Sequence, residues 1–322
     1  MTAGQEQVGS RVSVVIPTRD TRELVIRCVE SLARFSGEIL VVDDGSQDGT
    51  AAALQERFPS VQVLVNPRPQ GFAPAVNRGV AAAQEGLVIV LNSDTEVQHG
   101  SLEVLRGAFE NHPELGVAGA TLSYPDGSPQ WSGGREPNLP WLFALSSGLA
   151  VAAARLPGYR ELRPVSGFAT TLREIGWVTG AAMAFRREAW ETCGPFDESF
   201  VFYCQDLDFC LRARRAGWQI AVVPGFRVVH HHGATIGNRP GAIERQDPEL
   251  LWSDLARWAS KHRGPTWARR AAWTLRLGGR LRLAGRTLLG AIGSRKDRDA
   301  WRRETLAYRR ALSALANATQ HP

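Results

Sequence analysis

Four short constellations in this chain hold residue types able to do chemistry. The first, Asn92-Ser93-Asp94, directly follows the apolar run Leu87 to Leu91. A carboxylate and an amide oxygen two residues apart at a strand end are hard ligands that suit Mg²⁺ or Mn²⁺ shared with a diphosphate. The same residue types also make ordinary strand-to-helix turns. The second, Asp43-Asp44-Gly45-Ser46, ends another apolar run. A carboxylate there can accept the imide N–H of a uracil or thymine base, although Asp and Gly also simply turn the chain. The third, Tyr203-Cys204-Gln205-Asp206-Leu207-Asp208, offers Asp206 or Asp208 to take a proton from an attacking hydroxyl. Both would equally suit the first turn of a helix, where negative charge complements the dipole. The last, His230-His231-His232, closes an extended run in which side chains alternate between faces, so His230 is in phase with Phe226 and Val228, and His231 with Arg227 and Val229. Imidazole is a competent metal ligand and also a common surface group, and no Cys or HExxH partner supports zinc.

Absent motifs narrow the reading. The turn after the first strand has neither GxGxxG nor GxxxxGK[ST], so phosphate must be neutralised another way. Four cysteines, Cys28, Cys193, Cys204 and Cys210, form no CxxC pair, which indicates neither a disulfide framework nor a cysteine zinc site and fits a reducing cytoplasm.

The elements that must position these residues alternate short apolar runs with longer amphipathic ones, the pattern of a parallel sheet with helices on both faces. Strands are expected at Val12 to Ile16, Ile39 to Val42, Val61 to Val65, Leu87 to Leu91 and Gly116 to Ala120. Helices are expected at Arg22 to Phe35, Thr50 to Phe58, Ala73 to Ala83 and Ser101 to Asn111. Ligands bind such sheets at the carboxyl ends of the strands. The loops there are polar: PTRD, DDGSQDGT, NPRPQG and NSDTE. Regularity lapses after Tyr124 and returns at Trp177 to Arg187. A helix from Gln205 to Ala216 is stopped by Gly217, and a strand, Gln219 to Val223, and an extended segment, Phe226 to His230, close the domain.

The 322 residues, 43% of them apolar, suffice for one large core and an appendage. From Leu251 to Pro322 there are 16 Lys/Arg and 4 Asp/Glu, leaving 22 against 28 in residues 1 to 250. The two regions therefore suit different partners. The N-terminus lacks the apolar core of a signal peptide, and no stretch reaches the roughly 18 apolar residues of a membrane span. Leu139 to Ala154, interrupted by Ser146, Ser147 and Gly148, reads as a buried or acceptor-facing helix. In the tail, Trp252, Trp258, Trp267, Trp273, Leu277, Leu281, Leu288 and Ile292 recur at mostly helical spacing among arginines such as Arg269, Arg276, Arg280 and Arg286. That pattern favours an anionic membrane interface, or packing on the catalytic domain or a second subunit as a homodimer. No readout motif for nucleic acid accompanies it.

Taken in order, VSVVIPTRD, ILVVDDGSQDGT, GFAPAVNRGV, LVIVLNSDTEV, WVTGAAMAFRREAWETCGPFDESF, YCQDLDFCLRARRAGW and VVPGFRVVHHHGAT resemble glycosyltransferase family 2, and particularly its rhamnosyltransferase-like branch. The resemblance covers about residues 11 to 237. It implies an α/β, GT-A type, Rossmann-like mixed sheet flanked by helices with a helical C-terminal extension. The expected catalytic domain is 1–245, with a nucleotide-binding half at about 11–121 and an acceptor-binding half at about 122–240, followed by a basic amphipathic extension at 246–322. Thr18, Arg19, Asp43, Asp44, Asn77, Arg78 and Ser93 would bind a dTDP or UDP donor. Asp94, Asn92 and His230 would hold Mg²⁺ or Mn²⁺. Trp177, Gly180, Ala181, Gln205 and Asp208 would line the acceptor and sugar pocket, and Asp206 would be the catalytic base. Two positions depart from the family pattern: Gln205 stands where Glu is frequent, and Asn92 replaces the first carboxylate of the DxD motif. The implied activity is inverting transfer of a sugar such as rhamnose to a glycan or lipid-linked acceptor in cell-surface polysaccharide synthesis, in the cytoplasm or at the inner face of the membrane. The mechanism requires Asp94 and Asp206 to serve opposite ends of one sugar. A sugar nucleotidyltransferase is the rival enzyme class, but its Gly-rich, Arg-bearing loop is not PTRD. A non-catalytic nucleotide-sugar or glycan binder is the rival outside enzymology.

Overall fold

The computed structural model describes residues 12–149, 165–166, 171–231, 247–290 and 295–318. In chain order, the strands are β1 (Val12–Thr18), β2 (Glu38–Asp43), β3 (Gln62–Val65), β4 (Leu87–Leu91), β5 (Thr95–Val97), β6 (Leu115–Ser123), β7 (Trp131–Gly134), β8 (Val165–Ser166), β9 (Arg173–Glu174), β10 (Trp177–Val178), β11 (Ala182–Arg186) and β12 (Gln219–His230). The helices are α1 (Arg22–Ser31), α2 (Thr50–Arg57), α3 (Phe72–Ala82), α4 (Ser101–Asn111), α5 (Leu139–Ser147), α6 (Arg187–Cys193), α7 (Gln205–Arg215), α8 (Pro248–Gly290) and α9 (Arg295–Ala318).

These elements form two compact units, each made of several stretches of the chain. The first is Met1–Gly133 with Val165–Asp197 and Phe209–His231; the second is Gly134–Pro164 with Glu198–Asp208 and His232–Pro322.

In the first unit the main sheet runs β3-β2-β1-β4-β11-β6-β12-β5, with β9 added on β12. β1 to β4 are mutually parallel, and β11 enters antiparallel between β4 and β6. Strands buried on both faces need apolar residues at successive positions, and Val14, Val15 and Ile16 supply them. Val14 and Ile16 join Val25 and Val29 of α1, while Val15 joins Val42 and Val76 and Val80 of α3. Gly79 permits the close approach of α3, because a Cβ there would meet Val15 Cγ1 at 2.4 Å. A smaller sheet, β10-β7-β8, completes the unit.

Most boundaries shift from expectation by one to three residues, and two differences have an evident local cause. α1 ends at Ser31 rather than Phe35, because the chain tightens into three-residue bonds such as Phe35 N–H to Leu32 O (2.8 Å). The two expected segments 219–223 and 226–230 are one strand, β12, whose pairing with β6 shifts between Val222 and Arg227. Pro224, which has no N–H to donate, and Gly225, at φ 84°, account for the irregularity.

The second unit is helical. α5 starts at Asn138, whose side chain accepts the Trp141 N–H (2.9 Å), and stops at Gly148; residues 150–154 of the longer expected helix lie outside the described residues. α8 breaks at Gly264 (φ 80°) before Pro265. Trp252, Leu255, Trp258 and Leu275 are buried, and the Trp252 ring lies 5.3 Å from that of Tyr308 on α9. Arg282 stacks 4.5 Å over Tyr308 and pairs with Glu304 (2.5 Å), which Arg286 also meets (2.9 Å). The apolar stripe of the tail is therefore divided. Its first members pack inside the unit, whereas Trp273 is 64% exposed and Leu277 and Leu281 are 44% and 50% exposed. The Leu288 side chain and Ile292 lie outside the described residues. No described helix is long and apolar enough to cross a membrane.

Candidate active site

The parallel register of β1 on β2 sets Thr18 beside Asp43, so the loops after both strands leave from one edge of the sheet. They are joined there. Asp20, held at φ 51°, donates its N–H to Ser46 Oγ (2.9 Å) and accepts the Gln47 N–H (2.7 Å). Asn and Asp tolerate this left-handed backbone better than most residues, and the two bonds hold it. The buried Thr18 hydroxyl shares a hydrogen bond with Thr21 (2.7 Å), and Thr21 Oγ1 donates to Ser93 Oγ (3.0 Å), which ties the end of β1 to the loop after β4. Arg19 stays exposed, 3.6 Å from the Asp20 carboxylate.

Asp43 and Asp44 are both buried but differently engaged. Asp44 Oδ1 accepts from Asn66 Nδ2 (2.7 Å) and Gln70 N–H (2.9 Å), and Oδ2 from Gly71 N–H (2.8 Å). Its carboxylate thus holds the loop of residues 66–71. Asp43 Oδ1 accepts the Ser46 N–H (2.8 Å), while among the described residues Oδ2 has no partner. Gly45, at φ 74°, lets the turn pass against Pro69, to which a Cβ would come within 3.0 Å. Asn77 and Arg78 are used within the unit. The Asn77 amide both donates to Phe196 O (2.9 Å) and accepts its N–H (3.0 Å). Arg78 reaches Val65 O (2.9 Å) and the Asn66 side chain at the end of β3.

After β4, the Asn92 N–H donates to Ala181 O (2.9 Å), which binds this strand end to the Thr179-Gly180-Ala181 turn between β10 and β11. Antiparallel pairing of β5 with β12 sets His230 opposite Thr95. There His230 Nε2 lies 3.3 Å from Asp94 Oδ1, and both side chains are buried. Gln130 fixes the ring. Its amide nitrogen donates to the His230 carbonyl (2.5 Å), so its oxygen faces Nδ1 at 3.0 Å and that nitrogen carries the hydrogen. Nε2 faces the carboxylate. Among the described residues Asn92 Oδ1 is buried without a hydrogen-bond partner. An oxygen, a carboxylate and a pre-oriented imidazole nitrogen are a donor set that Mg²⁺ or Mn²⁺ accepts, although the described residues contain no cluster of three His, Cys, Asp or Glu. His231 turns away to Glu96 (2.8 Å), which also lies 3.5 Å from Arg27. His232 lies outside the described residues.

Trp177 is half-buried on β10, and Ala181 is buried at the head of β11. In the second unit, Cys204 takes a left-handed φ of 67° immediately before α7. Gln205 is buried, and the orientation that satisfies its amide donates to Phe202 O (2.9 Å) and Tyr203 O (3.2 Å). Asp206 is partly exposed and accepts the Leu207 N–H (2.8 Å). Asp208 is 0% exposed, and its Oδ1 meets Lys261 Nζ (2.6 Å) and His262 Nε2 (2.7 Å). The second carboxylate of this segment is therefore engaged inside the unit. All four cysteines are free thiols. Burial pushes the Cys28 thiol up to about 12 against an opposing hydrogen bond to Thr95, and raises Cys204 well above the usual thiol range, helped by nearby Asp206. Neither is a nucleophile near neutral pH.

Asp20, Gln130, Lys261 and His262 have no local signature, since each acts on residues well removed in sequence. Of these, only Asp20 lies in a loop, PTRD, that the sequence singled out as a polar strand end.

The family model described as "Glycosyl transferase family 2" matches residues 13–193, more than half of the chain. N-acetylglucosaminyl-diphospho-decaprenol L-rhamnosyltransferase of Mycobacterium tuberculosis is 32% identical over 222 residues, covering 63% of this chain and 69% of that relative. O-antigen biosynthesis protein RfbC of Myxococcus xanthus is 27% identical over 269 residues, covering 79% of this chain but 20% of RfbC. Among solved structures, a Pyrobaculum calidifontis mannosyltransferase in complex with GDP-Man and Mn²⁺ superposes with a TM-score of 0.53 at 16% identity, over 97% of this chain and 87% of that one. GalNAc-T7 with UDP, GalNAc and Mn²⁺ gives 0.58, also at 16% identity, over 98% of this chain and 58% of that one. The fold is of GT-A type, with its mixed sheet flanked by helices and a helical C-terminal region. The chain is a glycosyltransferase and belongs to glycosyltransferase family 2, resembling its rhamnosyltransferases.

The role of Asp44 is directly measurable. Asp44→Ala strands the Asn66 amide and the Gln70 and Gly71 N–H groups, and is expected to cost about 2 kcal/mol of stability by denaturant titration. An unchanged midpoint would remove Asp44 as the anchor of the 66–71 loop.

Proposed function

We propose that this glycosyltransferase moves a sugar, rhamnose in the first instance, from a dTDP or UDP donor to a hydroxyl of a lipid-linked glycan, inverting the anomeric centre. The observation that carries the reading is the buried Asp94–His230 pair, 3.3 Å apart, with the imidazole oriented by Gln130 and Asn92 Oδ1 unpaired nearby in sequence. Asp94, His230 and Asn92 would hold a divalent cation, Mg²⁺ or Mn²⁺, which when bound supplies positive charge to the departing diphosphate. Both solved neighbours contain Mn²⁺, which supports this choice.

The remaining work falls to side chains. Asp43 offers Oδ2 to the imide N–H of the base. Thr18, Ser93 and Arg19 flank the nucleotide. Asp44, Asn77 and Arg78 contribute by fixing the loops and segments around it. Trp177, Gly180 and Ala181 form the sugar side, next to the Asn92 backbone. Asp206 removes the acceptor proton as general base, and direct displacement with one base inverts configuration. The Mycobacterium tuberculosis relative is named for rhamnose transfer to N-acetylglucosaminyl-diphospho-decaprenol, and the Myxococcus xanthus relative for O-antigen biosynthesis. Those names make rhamnose, a polyprenyl diphosphate acceptor and cell-surface polysaccharide the first candidates. A melting screen of dTDP-, UDP- and GDP-sugars with Mn²⁺ or Mg²⁺ should raise the midpoint by about 5 °C for the cognate donor. Asp206→Asn should lower transfer about a thousandfold while keeping that shift. Loss of transfer and donor binding together would make Asp206 structural, and full retention of transfer would reject it as the base.

The proposal extends to where the enzyme works. Trp273, Leu277 and Leu281 form an exposed ridge on α8 beside exposed Arg269, Arg270 and Arg280, and no acidic residue lies between Pro265 and Gly290. Aromatic and aliphatic groups framed by arginines suit the headgroup region of an anionic bilayer. The full chain should sediment with anionic vesicles at low salt, and the triple change Trp273→Ser, Leu277→Ser, Leu281→Ser should abolish it. Absence of the wild-type protein from the pellet would rule the membrane surface out.

A further inference from the structure

Asp254, on the first segment of α8, is 1% exposed. A buried carboxylate is unfavourable unless its oxygens are matched by donors, and here the donors are three consecutive backbone groups. Val201 N–H donates to Oδ1 (3.1 Å), and Phe202 and Tyr203 N–H donate to Oδ2 (2.9 and 2.8 Å). Successive N–H groups converging on one anion form a nest, and this nest is filled by the chain's own side chain. The loop so held runs directly into α7 through Cys204, whose left-handed φ of 67° persists only where the surroundings over-determine it. The Tyr203 hydroxyl also accepts the Asp247 N–H (3.1 Å) just before α8 begins. Beyond Asp206, the Asp208 carboxylate is taken by Lys261 and His262. Asp254, Trp258, Lys261 and His262 recur at helical spacing on one stretch that ends at the Gly264 break, and Trp258 between them is fully buried.

We infer that the C-terminal helix α8 is the mount of the general base: Asp254, Lys261 and His262 are positioning residues that grip the 201–208 segment on both sides of Asp206. The inference rests on the assignment of Asp206 as base. It makes the tail a working part of the transferase in addition to any membrane contact.

Hydrogen exchange on the full-length protein reads the mount without reference to catalysis. The amides of residues 201–203 should be protected in the wild type and exchange at least about tenfold faster in Asp254→Asn, where an NH₂ replaces one accepting oxygen. Kinetics then read the consequence. In Asp254→Asn, kcat should fall about 10- to 100-fold with the donor KM nearly unchanged. Asp254→Glu, which keeps the charge, should recover part of that loss. The same change in an Asp206→Asn background should cost nothing further, because the two act as one unit. Unchanged exchange would overturn the nest, and faster exchange with unaltered kcat would overturn the positioning role. Full activity of Asp206→Asn alongside faster exchange in Asp254→Asn would overturn the base assignment and leave the nest standing. Should Asp254→Asn fail to fold, Lys261→Met on the half-exposed side of the grip carries the test, and an unaltered kcat there overturns the proposal.

Discussion

The constraint on which the first unit depends is the burial of three carboxylates, Asp43, Asp44 and Asp94, at the carboxyl ends of β2 and β4, the parallel strands on either side of β1. Like charges gathered out of water repel and lose hydration, so each needs its own compensation. Asp44 is neutralised by the fold itself, through one side-chain amide and two backbone N–H groups. Asp43 receives one backbone donor and keeps an oxygen in reserve. Asp94 faces an imidazole nitrogen. The three carboxylates thus differ in which groups meet them, and the difference follows from which loops close over each strand end.

The second unit handles charge by a different route. Asp254 and Asp208 are at least as deeply buried as those three, yet each is met by donors from within the unit. Buried acids satisfied on every side rigidify a segment and offer nothing to a ligand. Their neighbour Asp206 is partly exposed and accepts the Leu207 N–H (2.8 Å). An exposed ridge of Trp273, Leu277 and Leu281 on the same long helix shows that α8 divides its length between holding the protein together and presenting a surface.

Much of this was legible before any coordinates. β4 and α4 fall on the expected residues, because Leu87–Leu91 is an uninterrupted apolar run and Ser101–Asn111 has clean helical spacing. Alternation along β12 separated His230 from His231, and only the former faces Asp94. Periodicity did not decide between Asp43 and Asp44, which depends on where residues 66–71 return. It also gave no hint of Gln130, whose partner His230 is 100 residues away, or of Asp254, which acts on backbone N–H groups that any sequence would supply. The tail's Trp and Leu residues share one spacing, so which of them are covered depends on α5 and α9 and on the break at Gly264.

Whether Asp94 and His230 hold the cation proposed to serve the diphosphate is tested most directly by electron paramagnetic resonance of Mn²⁺ titrated against the full chain with dTDP present. The expected result is one Mn²⁺ per chain in the wild type and its loss in Asp94→Asn, with weakened binding in His230→Ala. Undiminished Mn²⁺ binding in Asp94→Asn would contradict it.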